Sequence, residues 1–330
     1  MSIFSKPPSS LISRRALTAS LLTMPAWSWS LGAQAQAHSV PKEVRIGYQK
    51  GSAVLLLDRK TQAIEQRLKA LGVQRLQWVE FQFGPPMLEA LGAGAIDVGS
   101  VGDTPPIFAQ AGQAQLVYAA ASPSSQHAVL VPKDSPLQTV ADLKGKKVAF
   151  GKGSSAHNVV IKALSEAGLQ LRDIQQVFLS PADATAAFNG GNIDAWVVWD
   201  PFFAIAQQRY GARALVDTQA QPSLSSASYY MASAAFARNY SHVLANILQS
   251  LRQTTLWASE HRDELVQLAA QDTGLDPQAW RVAYGRVQLD LQPVGAQHVA
   301  QQQQLADRFH ALGIIPRPLS VQDIVWDWPL

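Results

Sequence analysis

Ala90-Leu91-Gly92-Ala93-Gly94-Ala95-Ile96-Asp97 returns 97 positions later as Ala187-Phe188-Asn189-Gly190-Gly191-Asn192-Ile193-Asp194, with Ala, Gly, Ile and Asp in register. Six residues beyond each final aspartate stands another beside a proline, Asp103-Thr104-Pro105 and Asp200-Pro201, at the same offset. Upstream, Lys50-Gly51-Ser52 is echoed by Lys152-Gly153-Ser154. A repeat of this length makes the second half of the chain a diverged copy of the first.

Outward from the repeat, apolar runs alternate with helical periodicity. Residues 43–47 read as a strand, 52–71 as a helix and 76–81 as a strand. A proline-started helix follows near Pro85, then a strand at 95–101, a helix from Pro105, and strands at 116–121 and 128–132. A second run begins at Lys146-Lys147-Val148-Ala149-Phe150 and ends near Asp217. Strand–helix alternation predicts an α/β architecture with mostly parallel sheets. Two copies predict two such lobes facing each other. Beyond Phe236 the pattern turns helical, over 243–270, 277–286 and 295–312, before an aromatic tail at Trp326 and Trp328.

The 330 residues carry 27 Lys+Arg against 24 Asp+Glu, no Cys, 47% hydrophobic and 15% charged residues. Residues 1–37 hold Lys6, Arg14 and Arg15 as their only charges, so the remainder is neutral. A neutral chain argues against nucleic-acid or membrane-surface partners, which need clustered cations. Without Cys, disulfides, thiolate metal sites and Cys nucleophiles are excluded. In 1–37, Arg14-Arg15 precede a short apolar stretch broken by Pro25, then Ala33-Gln34-Ala35-Gln36-Ala37. This order predicts a signal peptide cleaved after Ala37 and a mature chain working outside the cytoplasm. Ser13-Arg14-Arg15-Ala16-Leu17 is compatible with twin-arginine as well as general export.

Chemistry concentrates where repeat strands end and helices begin, the region where open α/β sheets bind ligands. Four turns stand out: Gln49-Lys50-Gly51-Ser52, Gly102-Asp103-Thr104-Pro105, Gly151-Lys152-Gly153-Ser154-Ser155 and Trp199-Asp200-Pro201. Helix N-termini present unpaired N–H groups with partial positive charge, and Ser and Thr add neutral donors. The set suits a small anion. Gly151 to Ala156 also outlines G-x-G-x-x-A, a dinucleotide fingerprint, but an exported protein meets little NAD. No Gly-Lys pair is followed by Ser or Thr, so a Walker A loop fails. Neither G-x-S-x-G nor H-E-x-x-H occurs. Ser155 and His157 form a poor nucleophile–base pair at a helix start, and His157 is expected to line the cleft. Trp199 is expected to face the cleft and Trp196 the core, while Asp97 and Asp194 read as caps or hinge residues.

Gly47-Tyr48-Gln49-Lys50-Gly51-Ser52, Gly84-Pro85-Pro86-Met87-Leu88-Glu89-Ala90-Leu91, Gly102 to Gln110 and Lys152-Gly153-Ser154-Ser155-Ala156-His157-Asn158 resemble the periplasmic aliphatic sulfonate-binding proteins of ABC importers. Val140 to Ala149, Asp194-Ala195-Trp196 and Trp199-Asp200-Pro201 fit the same pattern, so the resemblance covers essentially the whole mature chain. The superfamily also holds taurine and nitrate binders and some pyrimidine-precursor enzymes. The resemblance implies a type II periplasmic-binding-protein fold, two α/β lobes joined by a two-segment hinge with a ligand cleft between them. Lobe 1 would comprise 38–130 and 228–330 and lobe 2 131–227, with crossings near 129–134 and 226–232. Family pockets carry over onto Gln49, Lys50, Gly102, Asp103, Thr104, Ser154, Ser155, His157, Trp199 and Asp200. The implied role is non-enzymatic and cofactor-free: a monomer capturing a sulfonate and delivering it to a permease–ATPase complex at the inner membrane. A sulfonate offers three acceptor oxygens and no proton. Phosphate would reward a carboxylate acceptor, which Asp103 or Asp200 can supply. Asp200 is further expected to pair with Lys50 or meet an amino group on the ligand, and Trp199, with Tyr48 or Tyr230, to cover the alkyl tail.

Overall fold

The computed structural model describes residues 39–328, so the expected signal peptide lies outside the described residues. In chain order, Glu43–Tyr48 is β1, Ala53–Thr61 α1, Ala63–Ala70 α2, Arg75–Glu80 β2, Gly84–Gly92 α3, Val98–Gly102 β3, Thr104–Ala111 α4 and Leu116–Pro123 β4. His127–Val131 is β5, Lys147–Phe150 β6, Ser155–Glu166 α5, Gln175–Phe178 β7, Pro181–Asn189 α6, Ala195–Trp199 β8, Phe202–Tyr210 α7 and Arg213–Asp217 β9. Ala227–Ser233 is β10, followed by α8 (Ala234–Asn239), α9 (Ser241–Glu260), α10 (Arg262–Thr273), α11 (Pro277–Gly285) and α12 (Ala296–Ala311).

These strands make two five-stranded sheets, ordered β2-β1-β3-β10-β4 and β7-β6-β8-β5-β9. The orders superimpose if β1, β2, β3 and β4 become β6, β7, β8 and β9, with β10 and β5 as each other's counterparts. Four strands of each sheet run in one direction, and β10 and β5 enter antiparallel to both of their neighbours. The expected mostly parallel sheets are therefore mixed, because each lobe takes one strand from a crossing segment.

The repeat aspartates do the same work in both copies. Asp97 accepts from the Arg45 backbone N–H at 2.7 Å and returns its own N–H to Arg45 O at 2.8 Å. Asp194 accepts from Lys147 N–H at 2.7 Å and donates to Lys147 O at 2.9 Å. Each fastens the third strand of its lobe to the first. Gly94 and Gly191 end the preceding helices at φ +70° and +67°, in the left-handed region glycine tolerates. Ala95 N–H then reaches Ala90 O, and Asn192 N–H reaches Ala187 O.

The first crossing lies earlier than the expected 129–134. Strand β5, all five residues buried, pairs with β8 and β9, so the chain leaves the first sheet at Pro123 and enters the second at His127. A strand buried along its whole length carries no mark of which sheet it joins. The return runs over 218–226 before β10 re-enters the first sheet between β3 and β4. The helix expected over 52–71 is broken at Gln62, which has φ 59°. There the buried Asp58 carboxylate accepts from Ile64 N–H and from Thr254 Oγ1, both at 2.8 Å, and so ties the break to α9. The late helices pack mainly on the first lobe: α9 covers α1 and α2, while α12 lies on α4. Helix α11 bridges, because Trp280, Ala283 and Tyr284 share one buried cluster with Leu57 of α1 and Ala204 of α7.

Candidate functional site

Both sheets point the carboxyl ends of their parallel strands at a cleft enclosing about 150 Å³. The turn after β1 brings Gln49, Gly51 and Ser52 to its wall, and that after β3 brings Gly102. From the second lobe come Ser154 and Ser155 at the head of α5 and Trp199 and Asp200 after β8. The turns interlock closely. A methyl group at Gly102 would stand 2.8 Å from Ser155 Cβ, and one at Gly51 would stand 3.5 Å from Asp200 O.

Gln49 Nε2 donates to Ser100 O at 2.8 Å, which holds the amide against β3. Ser154 donates its hydroxyl to Gly151 O at 2.7 Å, tightening the turn before α5. Ala53 N–H of α1 meets Gly51 O and His157 N–H of α5 meets Ser154 O; the other first-turn N–H groups lack intrahelical acceptors by helix geometry, and an anion at such an end gains about 0.3–2 kcal/mol from the helix dipole. Trp199, Tyr230, Trp280, Val287 and Leu289 add apolar surface to the lining. Among the described residues lining the cleft there is no Lys or Arg.

Four expected site residues are not on this wall. Lys50 is exposed, and its place opposite Asp200 is taken by Arg286, whose Nη1 lies 3.5 Å from Asp200 Oδ2. Arg286 also sits over the Phe203 ring, 4.1 Å from its centroid. Asp103 and Thr104 are buried behind the cleft. Thr104 donates to Asp103 Oδ1 at 2.9 Å, and Asn158 of the opposite lobe donates to Asp103 Oδ2 at 2.6 Å. Asn158 Oδ1 in turn accepts from Arg308 of α12 at 3.2 Å. These contacts join the lobes away from the residues that line the cleft. His157 is buried among Phe150, Phe108 and Phe309, at ring separations of 5.1, 6.1 and 5.7 Å, and burial pushes it down to about 4. Tyr48 is not on the wall either; its hydroxyl meets Arg59 and Glu80. Tyr230 is on the wall, and Trp196 lies in the second lobe's core.

Besides Trp280, Val287 and Leu289 on the cleft lining, two polar residues that the sequence reading missed bear on the cleft. Arg286 follows α11, far in sequence from any strand–helix turn, and only its pairing with Asp200 reveals it. His127 opens β5, lines the cleft, and places Nε2 2.7 Å from Ser155 Oγ and Nδ1 2.8 Å from Ser125 O.

Two α/β lobes sharing one cleft at their helix N-termini define a binding protein of the two-lobed periplasmic class. A model of ABC-transporter periplasmic phosphonate-binding proteins matches residues 63–224. An aliphatic sulfonates-binding protein of Escherichia coli K12 is 41% identical over 88% of this chain and 90% of its own. The alkanesulfonate-binding protein SsuA of Xanthomonas axonopodis pv. citri, solved bound to MOPS, superposes with TM-score 0.82 at 38% identity, covering 87% of this chain and 99% of its own. The aliphatic sulphonate-binding protein SsuA of Escherichia coli gives TM-score 0.78 at 39% identity, covering 88% and 94%. The chain belongs to the aliphatic sulfonates-binding protein family of ABC transporters.

The Asp200–Arg286 pair has a consequence in pH. Burial pushes the Asp200 carboxyl up to about 6 although Arg286 pulls it down. A raised carboxyl contributes stability when protonated and loses it as pH rises through that value. Stability of the ligand-free protein relative to Asp200→Asn should therefore fall from about pH 4 to pH 6 and level off above. Urea midpoints of the two proteins across that range check it.

Proposed function

We propose that this protein captures aliphatic sulfonates in the periplasm and hands them, unchanged, to an ABC permease. The observation that carries the reading is the cleft wall: helix N-termini from both lobes, neutral Ser and Gln side chains, no lining Lys or Arg, and the apolar surfaces of Trp199, Trp280, Val287 and Leu289. A sulfonate is a monoanion with three acceptor oxygens, each able to take a charge-assisted bond of about 1.5–3 kcal/mol from such donors. Its alkyl chain then lies on the indoles. The sulfonate-named relatives and the MOPS-bound structure support this ligand class over the phosphonate of the matching family model. Gln49, Gly102, Ser154, Ser155, Trp199 and Asp200 are the proposed ligand residues of the expected set, joined by His127, Tyr230 and Trp280.

Contacts from two lobes make the ligand a latch. A molecule that touches both sides binds the closed form better than the open one and shifts the balance toward it by that difference. The permease would read the closed form. The export segment in 1–37 and the family's periplasmic character support the location.

Titration calorimetry of the chain from His38 onward, freed of ligand, tests the reading. Ethanesulfonate and longer alkanesulfonates should bind one to one and be recovered intact, with sulfate and phosphate silent. Binding of none of the sulfonates, or their conversion to product, would overturn it. Gly102→Ala, which sets a methyl group 2.8 Å from Ser155 Cβ, should obstruct closure. Ethanesulfonate affinity should fall about tenfold or more, equivalent to 1.4 kcal/mol, with little change in the melting temperature of the ligand-free protein.

A further inference from the structure

We infer that His127 takes up a proton when a sulfonate binds, turning Ser155 from a hydrogen-bond acceptor into a donor toward the ligand. The inference rests on the sulfonate reading and specifies how the cleft answers an anion that has no proton of its own.

The geometry fixes the starting state. Nδ1 of His127 lies 2.8 Å from Ser125 O, and a carbonyl oxygen only accepts, so Nδ1 carries hydrogen. Nε2 lies 2.7 Å from Ser155 Oγ. In the neutral ring Nε2 is bare and must accept, which commits the Ser155 proton to His127. The serine oxygen then shows only lone pairs to the cleft. The ring is 2% exposed, and burial pushes it down to about 4, so the neutral form prevails in the ligand-free protein at neutral pH.

A sulfonate oxygen brought against that serine would meet lone pair with lone pair. One proton from solvent onto Nε2 resolves the conflict. The imidazolium donates to Ser155 Oγ, the serine hydrogen rotates toward the ligand, and the new positive charge faces the buried anion. No bond other than hydrogen bonds forms or breaks. Of the groups on elements packed against β5, Lys162 on α5 disfavours the cation. His157 and Glu166 on α5, Arg209 on α7, Arg213 and Asp217 on β9, and the Asp200–Arg286 pair after β8 complete the charged and imidazole set. An anion in the cleft adds the favourable partner that His127 otherwise lacks, so its proton affinity rises on binding. By linkage, affinity for the anion must increase as pH falls, by up to tenfold per pH unit for one proton, between the bound and free titration points.

The test is proton uptake on mixing the unbuffered, ligand-free chain from His38 onward with sodium ethanesulfonate between pH 5 and 7. Uptake should approach one proton per ligand toward pH 5, with affinity strengthening in parallel. Imidazole ¹⁵N spectra of the wild-type protein should show His127 Nε2 changing from the unprotonated to the protonated class as ethanesulfonate is added. His127→Gln should bind ethanesulfonate more weakly than the wild type, with most of the uptake and the strengthening at low pH gone. Ethanesulfonate bound with no uptake, or with uptake while His127 Nε2 stays unprotonated, would overturn the inference and leave the sulfonate reading standing. No binding of ethanesulfonate at any pH would overturn both.

Discussion

Each lobe depends on a strand that arrives from the other. Strand β10 lies between β3 and β4, and β5 between β8 and β9, all antiparallel, so neither sheet is complete without a crossing segment. Both strands are almost wholly buried, and their ladders satisfy backbone groups that would be costly to leave unpaired. The lobes are thereby tethered at two places, Ser124 to Gln126 and 218–226. In this arrangement the cleft edges are in close contact, Gly102 against Ser155 and Gly51 against Asp200. The site depends on this tether, because the close approach of Gly102 to Ser155 requires β3 and α5 to be held in a fixed relation.

Within that frame the cleft separates two electrostatic tasks. Backbone and serine side chains at the heads of α1 and α5 line the cavity, where the helix ends suit an anion that stays ionised. The formal charges of the interlobe contact stand behind or beside it: Asp103 with Asn158, which Arg308 also joins, and Asp200 with Arg286. Buried ion pairs add little net stability but are costly to break singly, so they suit a contact that specifies one arrangement. His127 connects the tasks, since it is buried like the second group yet bonded to a donor of the first.

The fold was largely legible in the chain. The repeat led to paired lobes because Asp97 and Asp194, and Gly94 and Gly191, keep backbone jobs that few other residues perform: accepting from a backbone N–H of the neighbouring strand, and ending a helix at positive φ. The turns carrying Gln49, Gly102, Ser154, Ser155, Trp199 and Asp200 reach the cleft for the same reason, since strand ends dictate where turns go. Side-chain direction was not legible. Lys50 and His157 belong to the right turns and point away, while Asp103 turns from the cleft toward Asn158. Arg286 and His127 come from a helix end and a crossing strand, which tertiary packing alone brings to the site. The break at Gln62 was hidden for a similar reason: its determinant, Asp58, is tied to Thr254, nearly 200 positions on.

The central claim is that one small sulfonate is held jointly by the two lobes. A crystal structure of the protein with ethanesulfonate tests it most directly. The account predicts sulfonate oxygens within hydrogen-bond distance of donors at the heads of both α1 and α5, with the ethyl group against the wall formed by Trp199 and Trp280. A sulfonate held by one lobe alone, or seated outside this cleft, would contradict it.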